Sequence, residues 1–285
     1  MDISNMNNPA FSFVRQLGEE LAAGEFDLPP FPDTAVKVQQ CVRDPDSDIR
    51  QLAAIVATEP ALAARLMRMA NSALMRRGPI EVQDINTAIS RVGMAMVQNA
   101  AVSFAAREAF QFPPGSAFLD ELNKLRKHSL RTAAISYVIA RHSKFNGNAD
   151  EAMLAGLLHS VGKFYIFMKA ADHPELFEDK DAIQNLLSQW HTGVARAIVE
   201  SWDFPETVSI GVDEQELKER DRISSADLSD VLFISNILAR AGLRAATELG
   251  DLDSLARLRM TAEELAELMS EKEEELQSMI DALGA

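Results

Sequence analysis

The stretch Met-Leu-Ala-Gly-Leu-Leu-His-Ser-Val-Gly-Lys-Phe-Tyr, residues Met153–Tyr165, decides the fold class. Its large apolar side chains recur at intervals of three and four residues, which places them on one face of an α-helix: Leu154, Leu157, Leu158, Val161 and Tyr165. His159 lies at the edge of that stripe, and Ser160 follows it. Such a polar pair either ligates a metal or donates hydrogen bonds in the core, and spacing alone favours the core role.

The same spacing continues along most of the chain and indicates an all-α protein. Hydrophobic residues make up 47% of the sequence but aromatic residues only 6%, and few runs alternate as a β-strand requires. In the second half the pattern predicts helices over residues 117–142, 150–170, 191–202 and 227–242.

Proline-rich segments divide the chain into two helical lobes with an arm and a tail. Leu28-Pro-Pro-Phe-Pro32 and Gln111-Phe-Pro-Pro-Gly-Ser116 cannot lie inside a helix, because proline blocks helix continuation. We therefore expect an N-terminal arm at 1–27, a front lobe at 28–112, a second lobe at 116–244 and an acidic C-terminal helical tail at 245–285.

The tail is acidic and carries a narrow apolar seam. From Glu248 onward there are eleven acidic residues against three basic ones. Thr261-Ala-Glu-Glu264 has the form of a capping box, which predicts a helix start. The seam follows at steps of four and three residues: Leu265, Met269, Lys272, Leu276, Met279 and Leu283. A helix docked on its own domain is the ordinary interpretation, and self-association through a short coiled coil is the alternative.

Composition excludes several classes of protein. The chain has 285 residues, 43 Asp and Glu against 28 Lys and Arg, and a net charge of −15, which opposes binding to nucleic acid. One cysteine, Cys41, makes neither an internal disulfide nor a cysteine-rich zinc site. Without a signal-peptide pattern or a membrane-length apolar run, a cytoplasmic protein with no membrane partner is expected.

Several motifs together resemble one family. Leu157-Leu-His-Ser-Val-Gly-Lys163 is similar to the Leu-Leu-His-Asp-Ile-Gly-Lys signature of HD-domain phosphohydrolases, with serine in the aspartate position. Three further stretches are similar to the HDOD branch, a bacterial signalling module related to the HD and HD-GYP enzymes: Glu59–Ser72, which follows the Leu28–Asp33 proline segment, then Ile85–Gly93 and Trp190–Pro205. The resemblance covers about residues 28–240 and implies that the second lobe is HD-like.

The resemblance also implies where a metal site would lie. The enzymatic relatives hold divalent metals with a first histidine, a His-Asp doublet and a distant aspartate. In this chain His128 and His159 fit the histidines, whereas Ser160 and Asn236 stand at the two carboxylate positions. Lys163 and His191 are accessory candidates, and Gly211–Gln215 contains no histidine where the HD-GYP relatives have a pair.

Neutral side chains at both carboxylate positions weaken such a site. Magnesium and manganese prefer oxygen ligands, and a hydrolytic metal must be held tightly enough to lower the pKa of bound water. We therefore expect no resident cofactor and no confident catalytic residue; at most, the histidines could take up an adventitious divalent metal such as zinc or nickel.

Positive charge is concentrated near one helix of the front lobe. Arg65, Arg68, Arg76 and Arg77 lie on and just after the helix that ends at Asn71-Ser72. The ordinary interpretation is a solvent-exposed face whose arginines pair with nearby acidic side chains. The alternative is a binding site for an anion or an acidic partner.

Three functions follow as expectations. The first is a noncatalytic HDOD-type regulatory protein that binds signalling proteins in trans; the resemblance implies sensor kinases, response regulators or cyclic-dinucleotide enzymes as partners. The second is a metal-dependent phosphohydrolase with residual activity on a nucleotide or phosphodiester. The third is a sensor that binds a nucleotide messenger between the lobes without hydrolysing it.

Overall fold

The computed structural model describes residues 13, 15, 17–20, 23, 31–76, 78–112, 116, 118–171, 173, 180–219, 221, 223–250 and 252–284. Within these residues the chain forms helices and no β-strand, which confirms the all-α prediction. None of the described helices is both long enough and apolar enough to cross a membrane.

The described part of the front lobe contains five helices, α1 (Asp33–Arg43), α2 (Ile49–Ala57), α3 (Pro60–Asn71), α4 (Ile85–Val92) and α5 (Met94–Ala109). Asp48 and Gln51 form a capping box at the start of α2, and the Asp84 side chain accepts a hydrogen bond from the backbone of Thr87 at the start of α4. Cys41 is buried in the core as a free thiol.

The second lobe contains α6 (Leu119–His142), α7 (Ala149–Leu158), α8 (Val161–Ala170), α9 (Lys180–Ser201), α10 (Glu206–Asp213) and α11 (Leu228–Ala241). The predictions for α6 and α11 agree with these bounds to within two residues. Helix α9 is longer than predicted, because its first turns also bury apolar side chains at Ile183, Leu186 and Leu187.

The single helix predicted over 150–170 is wrong. The chain breaks at His159 and Ser160, which cap α7 and α8 respectively. Glycines on both sides of the break permit close packing: a Cβ atom on Gly156 would lie 2.5 Å from the Ala133 Cα atom of α6, and one on Gly162 would lie 2.0 Å from the His191 carbonyl oxygen of α9. The apolar stripe runs through the break without interruption, which is why periodicity alone missed it.

The tail is folded onto the body. It contains a 3₁₀-helix (Leu243–Glu248), α12 (Asp253–Leu258), α13 (Ala262–Glu271) and α14 (Glu273–Gly284). The Thr261–Glu264 capping box forms, but the helix breaks at Lys272. All the apolar seam residues are buried: Leu265, Met269, Leu276, Met279 and Leu283. The seam is therefore covered within the chain, and the coiled-coil interpretation of it is wrong.

Helix α14 packs against both lobes. It contacts α6 of the second lobe and α3 and α5 of the front lobe. Ser278 Oγ accepts a hydrogen bond of 2.9 Å from the Ala73 backbone, and Ser103 Oγ donates one of 3.1 Å to the Leu283 carbonyl. The tail thus bridges the two lobes.

The lobes also contact each other directly. Gln39 Nε2 of α1 donates a 3.2 Å hydrogen bond to the Trp202 carbonyl, and Arg43 pairs with Asp203. In the N-terminal arm, the described residues 13, 15, 17–20 and 23 are helical, and Tyr165 of α8 donates a 2.9 Å hydrogen bond to Glu20. The predicted lobe boundary falls between α5 and α6, where residues 113–115 and 117 lie outside the described residues.

Candidate functional site

The first half of the candidate site is a histidine–amide pair between α6 and α11. His128 Nε2 lies 2.8 Å from Asn236 Oδ1, and Asn236 is 5% exposed. An amide oxygen only accepts hydrogen bonds, so His128 Nε2 carries the hydrogen and donates it. Asp230, the nearest aspartate earlier on α11, is not a substitute, because it is bound into the capping box with Asp227 and pairs with Arg257.

The second half lies at the junction of α7 and α8. His159 Nδ1 donates a 2.7 Å hydrogen bond to the Gly156 carbonyl, which leaves Nε2 as an acceptor. The Ser160 hydroxyl lies 2.8 Å from that Nε2 and donates to its lone pair. The rings of His128 and His159 meet edge to face with centroids 5.2 Å apart. The structure therefore brings the four predicted HD positions together.

A carboxylate that sequence reasoning missed completes the neighbourhood. Glu216 Oε1 accepts a 3.0 Å hydrogen bond from His191 Nε2 and lies 4.0 Å from Lys163 Nζ. The preceding residue, Gln215, donates a 2.8 Å hydrogen bond to the His159 carbonyl and so fixes this turn against the α7–α8 junction. No local pattern marked Glu216. The only available signal was its position directly after the stretch compared with the HD-GYP histidine pair.

Burial controls protonation at this site. It lowers the pKa of His128 to about 4, although the bond to Asn236 opposes the change. Burial likewise holds the pKa of His159 well below its ordinary value, with His128 adding to the effect, and it lowers the pKa of His191. The hydrogen bond from His191 lowers the pKa of Glu216 to about 2, assisted by Lys163. At pH 7 the site thus contains neutral imidazoles and an ionised Glu216.

This donor set does not fit a hydrolytic metal centre. The Nε2 atoms of His128 and His191 donate hydrogen bonds, and the His159 lone pair is taken by Ser160, so no imidazole presents a free Nε2 lone pair. Within the described part of the chain, no three His, Cys, Asp or Glu side chains are grouped so that they could hold a metal. Glu216 is directed at His191 and Lys163 instead.

The four predicted arginines do not form one patch. Arg65 is 2% exposed and donates a 2.9 Å hydrogen bond to Ser103 Oγ of α5, so the solvated face expected for it is wrong. Arg68 is exposed on α3, and Arg76 is exposed and donates to the Gly78 carbonyl. Arg77 lies outside the described residues. Arg65 is therefore buried against α5, Arg68 is exposed on α3, and Arg76 is exposed in the loop that follows.

Comparison with known proteins decides the family. The HDOD domain model matches residues 28–216. The chain belongs to the HDOD domain family. The matched range of this HDOD domain includes both lobes up to Glu216, and it ends before Asn236 and the tail.

Solved structures share the fold of this HDOD protein over nearly its whole length. A Shewanella amazonensis SB2B protein, provisionally named a metal-dependent phosphohydrolase, is 25% identical with a TM-score of 0.77, over 96% of this chain and 99% of that one. An HDOD domain protein of unknown function from Geobacter sulfurreducens is 22% identical with a TM-score of 0.69, over 94% and 96% of the two chains. A Marinobacter aquaeolei VT8 protein, provisionally named a signal transduction protein, is 20% identical with a TM-score of 0.62, over 100% and 68%.

A curated relative of the HDOD protein is longer. An uncharacterized protein from Treponema pallidum is 25% identical over 194 residues, which are 64% of this chain. The chain spans about 36% of the length of that relative.

Proposed function

We propose that this HDOD protein is a noncatalytic regulatory protein with a degenerate HD site, and that it acts by binding signalling proteins in trans. The observation that carries the proposal is the pairing of His128 with Asn236 and of His159 with Ser160. Both imidazoles are engaged by neutral side chains at the positions where the catalytic relatives have carboxylates. Such pairs hold helices together, and neither inherited carboxylate position supplies an anion to retain a hydrolytic metal.

The proposal assigns a structural role to these side chains. The His128–Asn236 bond joins α6 to α11, and the His159 carbonyl accepts from Gln215 beyond α10. Hydrogen-bonded polar groups at a helix interface define one packing arrangement, because leaving either partner unpaired in the core is costly. The inherited site thus fixes the second lobe as a stable body on which partners bind. Sensor kinases, response regulators and cyclic-dinucleotide enzymes are the partners that the family resemblance suggests.

A metal-dependent phosphohydrolase is the second candidate. The observation in its favour is Glu216, whose ionised carboxylate lies beside His191 and Lys163 and could change partners to bind a metal. The Shewanella protein with the same fold is named for that activity. The objection is geometric, because Glu216 already has two partners and His159 Nε2 is occupied.

Hydrolysis assays separate the two candidates. The purified protein is incubated with Mn²⁺, Fe²⁺ or Zn²⁺ and with a phosphate monoester or a cyclic dinucleotide, alongside His159→Ala and Glu216→Gln. Hydrolysis is measured as phosphate released from the monoester and as linear dinucleotide formed from the cyclic dinucleotide. We expect both products at the level of the protein-free blank for all three proteins. Metal-dependent turnover by the natural chain that disappears in either variant would establish the phosphohydrolase instead.

Binding to partners is tested separately. Labelled natural chain and His159→Ala are each mixed with candidate kinases or receiver domains, and binding is followed by fluorescence anisotropy. The proposal expects a partner whose affinity for a correctly folded His159→Ala chain is within a few-fold of that for the natural chain. If an intact HD site were required for binding, the correctly folded variant would lose its affinity for the partner.

A further inference from the structure

A cationic cavity lies where the two lobes and the tail meet, apart from the HD site. It has a volume of about 370 Å³. Four basic side chains line it: Arg65 of α3, Arg107 of α5, and Arg126 and Lys127 of α6. A larger adjoining depression of about 610 Å³ shares Arg65, Arg107 and Arg126 and adds Arg68. These cations converge on one place in a chain whose net charge is −15.

Among the described residues, few acidic side chains lie near the cations of the cavity. Glu108 is the only acidic residue among those described around the two spaces. Within the described ranges, Arg107 and Lys127 form no ion pair within 4.0 Å. Arg126 Nε is buried and has no hydrogen-bond acceptor among the described atoms, although its terminal nitrogens bind Asn123 and the Phe110 carbonyl.

Mutual repulsion of the arginines agrees with this geometry. Burial, together with the neighbouring charges of Arg107 and Arg68, lowers the pKa of Arg65 to about 10. Burial, followed by Arg107, also lowers the pKa of Arg126. Like charges held close together in a partly buried place are relieved by an anion that binds between them.

Apolar side chains form a second part of the cavity wall. They belong to Leu130, Leu157, Phe164 and Leu283. The Arg126 guanidinium lies over the Phe164 ring, 5.9 Å from its centre, so a flat cationic group and an aromatic face adjoin. Charged donors beside apolar walls, in a space of about 300–1,000 Å³, are typical of small-molecule sites. A phosphate group would satisfy the cations, and an attached ring would occupy the apolar wall.

We propose that this interlobe cavity binds a small phosphorylated ring compound of about the size of a nucleoside monophosphate. The site is distinct from the HD positions, since Arg126 and His128 are two residues apart on α6 and project about 200° apart around the helix. A long polyanion is disfavoured because the overall charge of −15 repels it. The inference does not rest on the proposed function, because it uses none of the HD-site side chains.

Such a ligand would contact parts of the molecule that are far apart in sequence. The cavity is lined by residues of α3 and α5 in the front lobe, α6 in the second lobe and Leu283 and Gly284 of α14. A ligand that binds all of them favours the arrangement with lobes and tail together. Ligand binding thus stabilises the packed arrangement, because the ligand makes all of these contacts only when the lobes and the tail are together.

Isothermal titration calorimetry tests the proposal with AMP and GMP as probes, adenosine as the phosphate-free comparison and pyrophosphate as the ring-free comparison. The proteins are the natural chain, Arg107→Gln, Arg126→Gln and the control Arg131→Gln. Arg131 is exposed on α6 and lies outside the cavity lining, so the control removes the same charge elsewhere. Because Arg107 is itself exposed, Arg107→Gln is expected to fold normally, which a melting curve checks.

We expect one molecule of AMP or GMP to bind per natural chain, with adenosine and pyrophosphate each at least roughly tenfold weaker. Arg107→Gln and Arg126→Gln should each weaken nucleotide binding by roughly tenfold or more, since each removes a charged donor to phosphate. Arg131→Gln should remain within about twofold. The proposal is overturned if neither nucleotide binds at about millimolar concentration, or if a correctly folded Arg107→Gln binds as the natural chain does.

Discussion

Substituting Asn236→Asp tests the interpretation of the His128 pair most sharply, because it restores one negative charge with almost no change of shape. The new carboxylate oxygen would take the place of Asn236 Oδ1, 2.8 Å from His128 Nε2. The substitution converts a neutral hydrogen bond into an ion pair with the imidazolium. It should therefore raise the pKa of His128, which burial now holds at about 4.

The size of the change follows from the geometry. Opposite unit charges about 4 Å apart interact by about 4 kcal/mol at an effective dielectric constant of about 20. One pKa unit corresponds to about 1.4 kcal/mol, so the attraction is worth about three units. Burial of the new carboxylate opposes part of this, because Asn236 is 5% exposed. The pKa of His128 should rise by about two to three units, to about 6–7.

Proton NMR titration of the imidazole Cε1–H signals measures this directly, with His128→Gln used to assign the resonance. Asn86→Asp serves as the matched control, because it adds the same charge at an exposed position of the front lobe. It should leave the pKa of His128 unchanged. A pKa of His128 that stayed near 4 in Asn236→Asp would show that the two side chains are not paired, and the placement of α11 against α6 would be wrong.

Three further results are expected. Calorimetry should show that Ser160→Asp combined with Asn236→Asp binds Mn²⁺ more tightly than the natural chain, since both carboxylate positions are then filled; an unchanged affinity would mean that the inherited metal geometry is lost. In urea unfolding, His128 alone should lower the free energy of unfolding by about 2 kcal/mol between pH 7 and pH 5, because its folded pKa of about 4 lies below the unfolded value of 6.5 and only the unfolded chain takes up the proton there. His128→Gln should make the free energy of unfolding depend less on pH. Equal pH dependence in the variant and the natural chain would contradict the assignment. Met279→Ala in α14 should lower the free energy of unfolding by about 2–5 kcal/mol, because the side chain is fully buried between tail and body. The control Gln277→Ala, at an exposed position of the same helix, should lower it by less than about 0.5 kcal/mol. A similarly small loss in both variants would mean that the tail does not dock as described.

The sequence is sufficient to predict the two helices that carry His128 and Asn236. The periodicity around α6 and α11 gives their bounds closely, and the resemblance places His128, His159 and Asn236 at corresponding positions. These side chains come together because each motif occupies a defined place in the fold of the family. The break at His159 was missed, since helical periodicity continues through it and only tertiary packing of the flanking glycines requires it.

The features that sequence reasoning missed depend on residues far apart in the chain. Glu216 reaches His191 across 25 positions, and no spacing rule connects them. The cationic cavity is similar, because Arg65, Arg107 and Arg126 lie on three different helices and converge only when the lobes pack. Counting local charge instead grouped Arg65 with Arg76, which lies in the exposed loop. Convergent sites of this kind depend on tertiary packing.

We propose that the HD positions hold no catalytic metal. The most direct measurement is anomalous diffraction at the manganese edge from crystals of the natural chain soaked in Mn²⁺. We expect no anomalous peak within bonding distance of His128 or His159, whose imidazoles should remain paired with Asn236 and Ser160. A fully occupied manganese ion ligated by His159 and Glu216 would contradict it.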